Sequence, residues 1–143
     1  MVGIGGSGMS GIAEVLMDFG YQVSGSDLSS SPMIERLRSL GADIDVGHDS
    51  CHVKRQDLVV VSSAVPRDNP ELVESVRLNI PIVGRGVILA ELAGFKKTIA
   101  IAGSHGKTTT ASMVASVMEM TGSDPTSIIG GKVRTSGSNA RLG

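Results

Sequence analysis

Near the start of the chain stands Gly3-Ile4-Gly5-Gly6-Ser7-Gly8, which fits the pattern G-x-G-x-x-G. Glycines there permit a tight turn and let the backbone approach a diphosphate. A helix opening directly after it would aim free N–H groups, with about half a positive charge, at that anion. Asp27 follows Gly8 by 19 residues, where an acidic side chain can accept hydrogen bonds from ribose hydroxyls. The pattern alone leaves NAD, FAD and UDP-sugars open, and an acid rather than an Arg at position 27 argues against NADP. A second cluster, Gly103-Ser104-His105-Gly106-Lys107-Thr108, lies about 100 residues further on. It departs from G-x-x-x-x-G-K-[ST] because Ile101 occupies the place of the first glycine. The Gly-Lys-Thr core remains. Lys107 would reach the β- and γ-phosphates of a nucleoside triphosphate, and the Thr108 hydroxyl would ligate Mg²⁺.

Two weaker candidates stand between these loops. His48-Asp49-Ser50-Cys51-His52 carries metal-ligand side chains, but structural zinc needs a fourth ligand and Cys51 is the only cysteine. The segment reads as a surface loop between strands, with His48 placed after a strand end where such folds bind ligands. Ser62-Ser63-Ala64-Val65-Pro66 also follows a strand. Its hydroxyls could bond a ligand or simply close a turn.

These motifs need strands and helices to position them, and the apolar pattern supplies both. Short β-branched runs are expected as strands at 1–4, 22–26, 42–46, 58–61, 82–83, 98–102 and 127–129. The continuous apolar runs Leu58-Val59-Val60-Val61 and Ile99-Ala100-Ile101-Ala102 suit parallel strands covered on both faces. Ile12, Val15, Leu16 and Phe19 follow helical spacing, with Gly20 as the stop. Ser31-Pro32 and Asn69-Pro70 each pair an N-cap with Pro at the first helical position. Further helices are expected at 87–92, ended by Gly94, and from Lys107 to about Thr121. Strands alternating with helices define an α/β fold. We expect a doubly wound, Rossmann-like parallel-sheet domain over 1–94. Residues 95–143 read as the first strand–P-loop–helix unit of a second α/β domain. That second piece lacks partners for its apolar faces, and only Met1 and Val2 precede the first glycine turn. We therefore expect a fragment of a longer protein.

The chain has 143 residues and a formal net charge of −1, with 41% hydrophobic and 19% charged residues. That balance excludes a disordered tail and a strongly basic nucleic-acid-binding face. Two Phe, one Tyr and no Trp leave no aromatic platform for stacking bases. No apolar run reaches membrane-spanning length, no signal peptide is visible, and a lone cysteine fits a reducing compartment. A cytoplasmic protein with no nucleic-acid or membrane partner is expected; composition says nothing about oligomeric state.

Two nucleotide-type loops on successive α/β units, in this wording, resemble the Mur ligase family. The resemblance is carried by Gly3–Gly11, Gly25-Ser26-Asp27-Leu28, Ser62–Pro66 with Asn69-Pro70, Ala90-Glu91-Leu92, Gly103–Thr110, Gly130-Gly131 and Gly137-Ser138-Asn139-Ala140-Arg141. It spans the chain in order. It implies a cytoplasmic, ATP- and Mg²⁺-dependent ligase of peptidoglycan synthesis. Such an enzyme would join L-alanine to the carboxylate of UDP-N-acetylmuramate through an acyl phosphate. By position, Gly5, Gly6, Ser7 and Gly8 would meet the diphosphate and Asp27 the uridine ribose, with His48 and Ser63 lining the same cleft. Gly103, Ser104, His105, Gly106, Lys107, Thr108 and Thr109 would take ATP, with Lys107 and Thr108 as the catalytic pair and Thr108 on the metal. Asn139 and Arg141 would lie on the UDP-sugar side. Ser104 stands where the family usually has Thr, which keeps the hydroxyl. The family's acidic metal-ligating segment would follow Gly143, so this chain is expected to bind UDP-sugar without ligating it. A ligase that adds a recycled peptide to the same UDP-sugar is the alternative within the family. A non-catalytic NAD-sensing Rossmann module is the alternative outside it, and it leaves Lys107 and Thr108 without a purpose. A simple P-loop ATPase would leave Gly3–Gly8 and Asp27 unexplained.

Overall fold

A computed structural model describes residues 1–130, 140, 141 and 143. Its sheet is organised around a very short central strand. Val2 forms parallel bridges to Ser26 on one side and Val61 on the other. Its N–H donates to Val60 O at 2.8 Å, while Ser62 N–H donates to Val2 O at 3.1 Å. Outward from Val2 on one side lie β1 (Ser24–Asp27) and β2 (Asp43–Val46), paired parallel with Asp27 opposite Val46. On the other side lie β3 (Val59–Val61) and β4 (Ile82–Gly84), again parallel, with Val61 opposite Gly84. The spatial order is thus β2, β1, Val2, β3, β4. Chain direction across the sheet reverses at Val2, which makes that position the topological switch point of a doubly wound sheet.

Helices cover the two faces because neighbouring strand residues point opposite ways. Met1 packs with the clusters of α1 (Ser7–Asp18), whereas Val2 packs with Val59 and with Leu72 of α3 (Pro70–Arg77). On the α1 side, Ile4, Ala13, Ala42 and Ile44 enclose Ile34 and Leu37 from α2 (Pro32–Ser39). Ile12, Val15 and Leu16 meet Leu92 from α4 (Arg85–Gly94). Phe19 and Phe95, just beyond the ends of α1 and α4, meet edge to face at 6.2 Å between centroids.

Both N-caps form as their sequences require. Ser31 Oγ accepts from Ile34 N–H at 3.3 Å, and Asn69 Oδ1 accepts from Glu71 N–H at 2.9 Å, with Pro at the start of each helix.

Three expectations need correction. Residues 98–102 are not a strand: no strand among the described residues lies beside them to complete a ladder, and Ile99 is 62% exposed. The helix expected at 87–92 is longer, and Gly94 is its last residue rather than its stop. The strand expected at 127–129 is present as β5 (Ser127–Ile128), but its antiparallel pairing with β6 (Ala140–Arg141) was not expected. Ile128 from this pair packs against the α1 cluster, so the second piece leans on the first. Its helix α5 (Lys107–Met120) buries no residue and exposes Met113, Val117 and Met120.

The close approach of Val2 to β1 fixes one residue type. A Cβ at Gly25 would sit 2.6 Å from the Met1 carbonyl oxygen and 2.8 Å from Ile4 Cδ1. Gly25→Ala is therefore expected to destabilise the fold by about 1–3 kcal/mol through overpacking, seen as a lower urea midpoint. An unchanged midpoint would mean that the centre of the sheet is looser than described.

Candidate functional site

The glycine loop connects Val2 to α1 beside the switch point. Gly3 and Ile4 N–H groups both donate to Ser26 O, at 2.9 and 3.0 Å. Gly5 N–H donates to Asp27 Oδ2 at 2.8 Å. A side chain here would push on this contact: a Cβ on Gly5 would lie 2.9 Å from Asp27 Oδ2 and 3.2 Å from Ile34 Cδ1, so the Asp27 carboxylate would have to move. Gly6 caps α1 with no side-chain acceptor, and the first turn holds no acidic residue. The N–H groups of Ser7 and Gly8 are therefore among the first-turn donors that a helix cannot satisfy internally. Arg85, the first residue of α4, lies against Gly8 so closely that any Cβ there would collide with its guanidinium. Loop, helix end and Arg85 together make an electropositive corner suited to a diphosphate.

A cleft of about 600 Å³ opens at this corner, lined on one side by Gly3, Gly5, Gly6, Asp27 and His48. Ser62, Val65, Pro66, Asn69 and Pro70 face it from the loop after β3 and from the start of α3. It carries apolar surface for a planar or sugar group and a few polar atoms to orient it, as small-molecule sites do. Asp27 spends one carboxylate oxygen on Gly5 N–H, while Oδ1 has no partner among the described residues.

Of the sequence-derived residues, Gly5, Gly6, Asp27 and His48 line this cleft. Ser7 and Gly8 continue from it into α1, and Ser7 Oγ donates to Gly130 O at 3.2 Å. Ser63 is exposed and outside the lining; Ser62 takes that place and also accepts from Val65 N–H through its carbonyl at 3.0 Å. The segment is thus both turn and wall. Arg141 is not in the cleft either: it pairs with Asp124 at 2.8 Å and Glu119 at 2.9 Å, tying β6 to the end of α5 and the turn beyond it. Asn139 lies outside the described residues. The segment 48–52 is not simply a surface loop, because His48 and His52 are half-buried and both turn Nδ1 toward Glu71 at 2.8 Å. Among the described residues no His, Cys, Asp and Glu side chains group to hold a metal ion.

Gly103, Ser104, His105 and Gly106 form the loop before α5, all exposed. Lys107 Nζ donates to the carbonyls of Gly103 and, at 3.0 Å, Ser104, so the ammonium is folded over its own loop. His105 Nδ1 lies 3.3 Å from Ser104 Oγ. The Thr108 and Thr109 hydroxyls have no partner among the described residues. The first N–H groups of α5 are uncapped by any side chain. Free donors, one cation and two free hydroxyls fit a polyphosphate with its metal.

Ser26 lies in the segment Gly25-Ser26-Asp27-Leu28 and Ser62 in the hydroxyl pair after β3, whereas Glu71 and Arg85 belong to no motif. Glu71 reads as an ordinary acid in a helix's first turn, and Arg85 reaches α1 from 77 residues away in sequence.

Residues 1–97 match the Mur ligase family, catalytic domain. A UDP-N-acetylmuramate–L-alanine ligase from Sulfurihydrogenibium sp. is 61% identical over 142 residues, covering 99% of this chain and 31% of the relative. The enzyme of that name from Burkholderia mallei is 58% identical over 99% of this chain and 30% of its own length. Among solved structures, a UDP-N-acetylmuramate-alanine ligase from Thermotoga maritima superposes with TM-score 0.92 at 35% identity, over 99% of this chain and 34% of that one. A UDP-N-acetylmuramate:L-alanyl-gamma-D-glutamyl-meso-diaminopimelate ligase from Neisseria meningitides gives 0.89 at 36% identity, over 99% and 45%. The chain belongs to the Mur ligase family. It spans about 31% of the length of the first of these relatives.

The Asp27–Gly5 contact generates a prediction that needs no ligand. Asp27→Ala removes a charged acceptor from a backbone donor and should cost about 1.5 kcal/mol of stability, measured by denaturant unfolding of the free chain. Equal stability of the two forms would detach Asp27 from the loop.

Proposed function

We propose that residues 1–94 form the UDP-sugar-binding domain and residues 95–143 the opening of the ATP-binding domain of an enzyme that joins L-alanine to UDP-N-acetylmuramate. The observation that carries this reading is the coexistence of two phosphate-type loops, one at a switch-point cleft and one before α5. The relatives' names support the sugar: all of them specify UDP-N-acetylmuramate, and they differ in the amine. The alanine ligases at 61% and 58% identity favour L-alanine, although the two solved structures, an alanine ligase at 35% and a peptide ligase at 36%, do not separate the amines.

On this reading the diphosphate sits on the N–H groups of Gly6, Ser7 and Gly8, with Arg85 as counter-charge and Asp27 Oδ1 on the ribose. Val65, Pro66 and Pro70 cover the apolar side of the uridine. Lys107 leaves its loop carbonyls to neutralise the phosphates of ATP, and the Thr108 hydroxyl holds Mg²⁺, with Gly106 and Thr109 beside them. The metal supplies charge neutralisation for phosphoryl transfer. Transfer to the muramyl carboxylate turns a poor leaving oxygen into phosphate. The alanine nitrogen then bonds to the carbonyl carbon as the C–O bond to phosphate breaks. The remainder of a protein with the relatives' length would supply the amino-acid site. A cytoplasmic location accords with this chemistry, and no helix among the described residues is long and apolar enough to cross a membrane.

Thermal unfolding tests the assignment. UDP-N-acetylmuramate at 100 times its Kd should add about 2.7 kcal/mol to the chain's stability, NAD should add nothing, and Lys107→Ala should leave the UDP-sugar effect intact. Protection by NAD and not by the UDP-sugar would replace the ligase reading with the sensor. In a protein of the relatives' length, the same Lys107→Ala change should abolish alanine-dependent phosphate release.

A further inference from the structure

A single buried carboxylate gathers three donors behind the cleft. Glu71 is 2% exposed. Its Oε2 accepts from Ser26 Oγ at 2.6 Å and faces His48 Nδ1 at 2.8 Å, while Oε1 faces His52 Nδ1 at 2.8 Å. An ionised carboxylate only accepts. Against an ionised Glu71 both Nδ1 atoms carry their protons, and Ser26 Oγ, 3.1 Å from His48 Nδ1, donates to the carboxylate rather than to the ring. In a neutral imidazole this leaves Nε2 as a bare acceptor. For His52, that nitrogen lies 3.9 Å from Asp45 Oδ2. For His48, Nε2 has no partner among the described residues, and His48 lines the cleft.

We propose that Glu71 is a positioning residue of the nucleotide site. It locks His48 as the Nδ1–H tautomer, so that Nε2 is offered to the cleft as an acceptor for a donor on the nucleoside, an imide N–H or a ribose hydroxyl. The arrangement repeats a general device: a second group bonded to one ring nitrogen decides what the other nitrogen can do. Glu71 is itself fixed, since its N–H donates to Asn69 Oδ1 and its carbonyl accepts from Ser75 Oγ. The ligand role rests on the nucleotide reading above, whereas the tautomer does not.

The tautomer is read directly from the ¹⁵N shifts of His48 in the unsubstituted chain, in long-range proton–nitrogen spectra under conditions where the ring is neutral. A protonated Nδ1 with a bare Nε2 is expected; a protonated Nε2 overturns the proposal. Calorimetric titration with UDP then separates positioning from mere packing. Glu71→Gln and His48→Ala should each weaken UDP binding about tenfold, and the double variant should be no weaker than either. Losses that multiply in the double variant, or full affinity in Glu71→Gln, overturn the positioning role while leaving the nucleotide reading intact. Absence of UDP binding by the unsubstituted chain would instead refute that reading and the ligand role with it. Should Glu71→Gln fail to fold, the spectrum of the unsubstituted chain still decides the tautomer.

Discussion

The hydrogen bond from Gly5 N–H to Asp27 Oδ2 closes the glycine loop onto the neighbouring strand, and the rest of the site depends on that closure. It brings the loop so close to Asp27 and Ile34 that a side chain at position 5 would displace the carboxylate that holds the loop. The same closure fixes where α1 begins, because Gly6 is its cap. The direction of the uncapped first-turn N–H groups follows from that start. Ile34 is also a wholly buried member of the core beneath the loop. Loop geometry and core packing therefore support each other, which pre-organises a diphosphate site at little cost when the ligand arrives.

The two phosphate-type loops rest on different foundations. The first is held by a sheet, by the α1 cluster and by a carboxylate. The second is held chiefly by the helix that follows it, and by Lys107 folding back onto loop carbonyls. α5 contributes no buried residue, while β5 and β6 lean on α1. In free-energy terms, the first loop is part of a cooperative unit and the second belongs to the less protected end of the stability range.

Features governed by local chemistry were legible in the sequence. Ser31-Pro32 and Asn69-Pro70 start helices because cap and ring act within one turn. The stripes of α1 and α2 and the strands β3 and β4 follow from the apolar pattern, whereas β1, Ser24-Gly25-Ser26-Asp27, owes its place to pairing with Val2 and β2. The Mur-type family and the α/β fold were readable for the same reason: their motifs are short and contiguous. Features governed by distant partners were not legible. Residues 98–102 have the composition of a strand, yet a strand exists only when a neighbour completes its ladder. Ser62 rather than Ser63 faces the cleft, a choice made by strand register. Arg141 pairs with Asp124 and Glu119, and the Glu71 cluster draws on Ser26 from β1 and on His48 and His52 from the segment after β2. No spacing rule links those positions.

The central claim is that the loop pinned by Asp27 is the seat of the UDP-sugar diphosphate and the loop before α5 is not. Backbone amide shifts of the ¹⁵N-labelled chain, followed during titration with UDP-N-acetylmuramate, test it most directly. The account predicts large, saturable changes at Gly5, Gly6, Ser7 and Gly8, with the amides of Gly106, Lys107 and Thr108 unmoved. Saturable changes at Gly106–Thr108 with Gly5–Gly8 unmoved would contradict it.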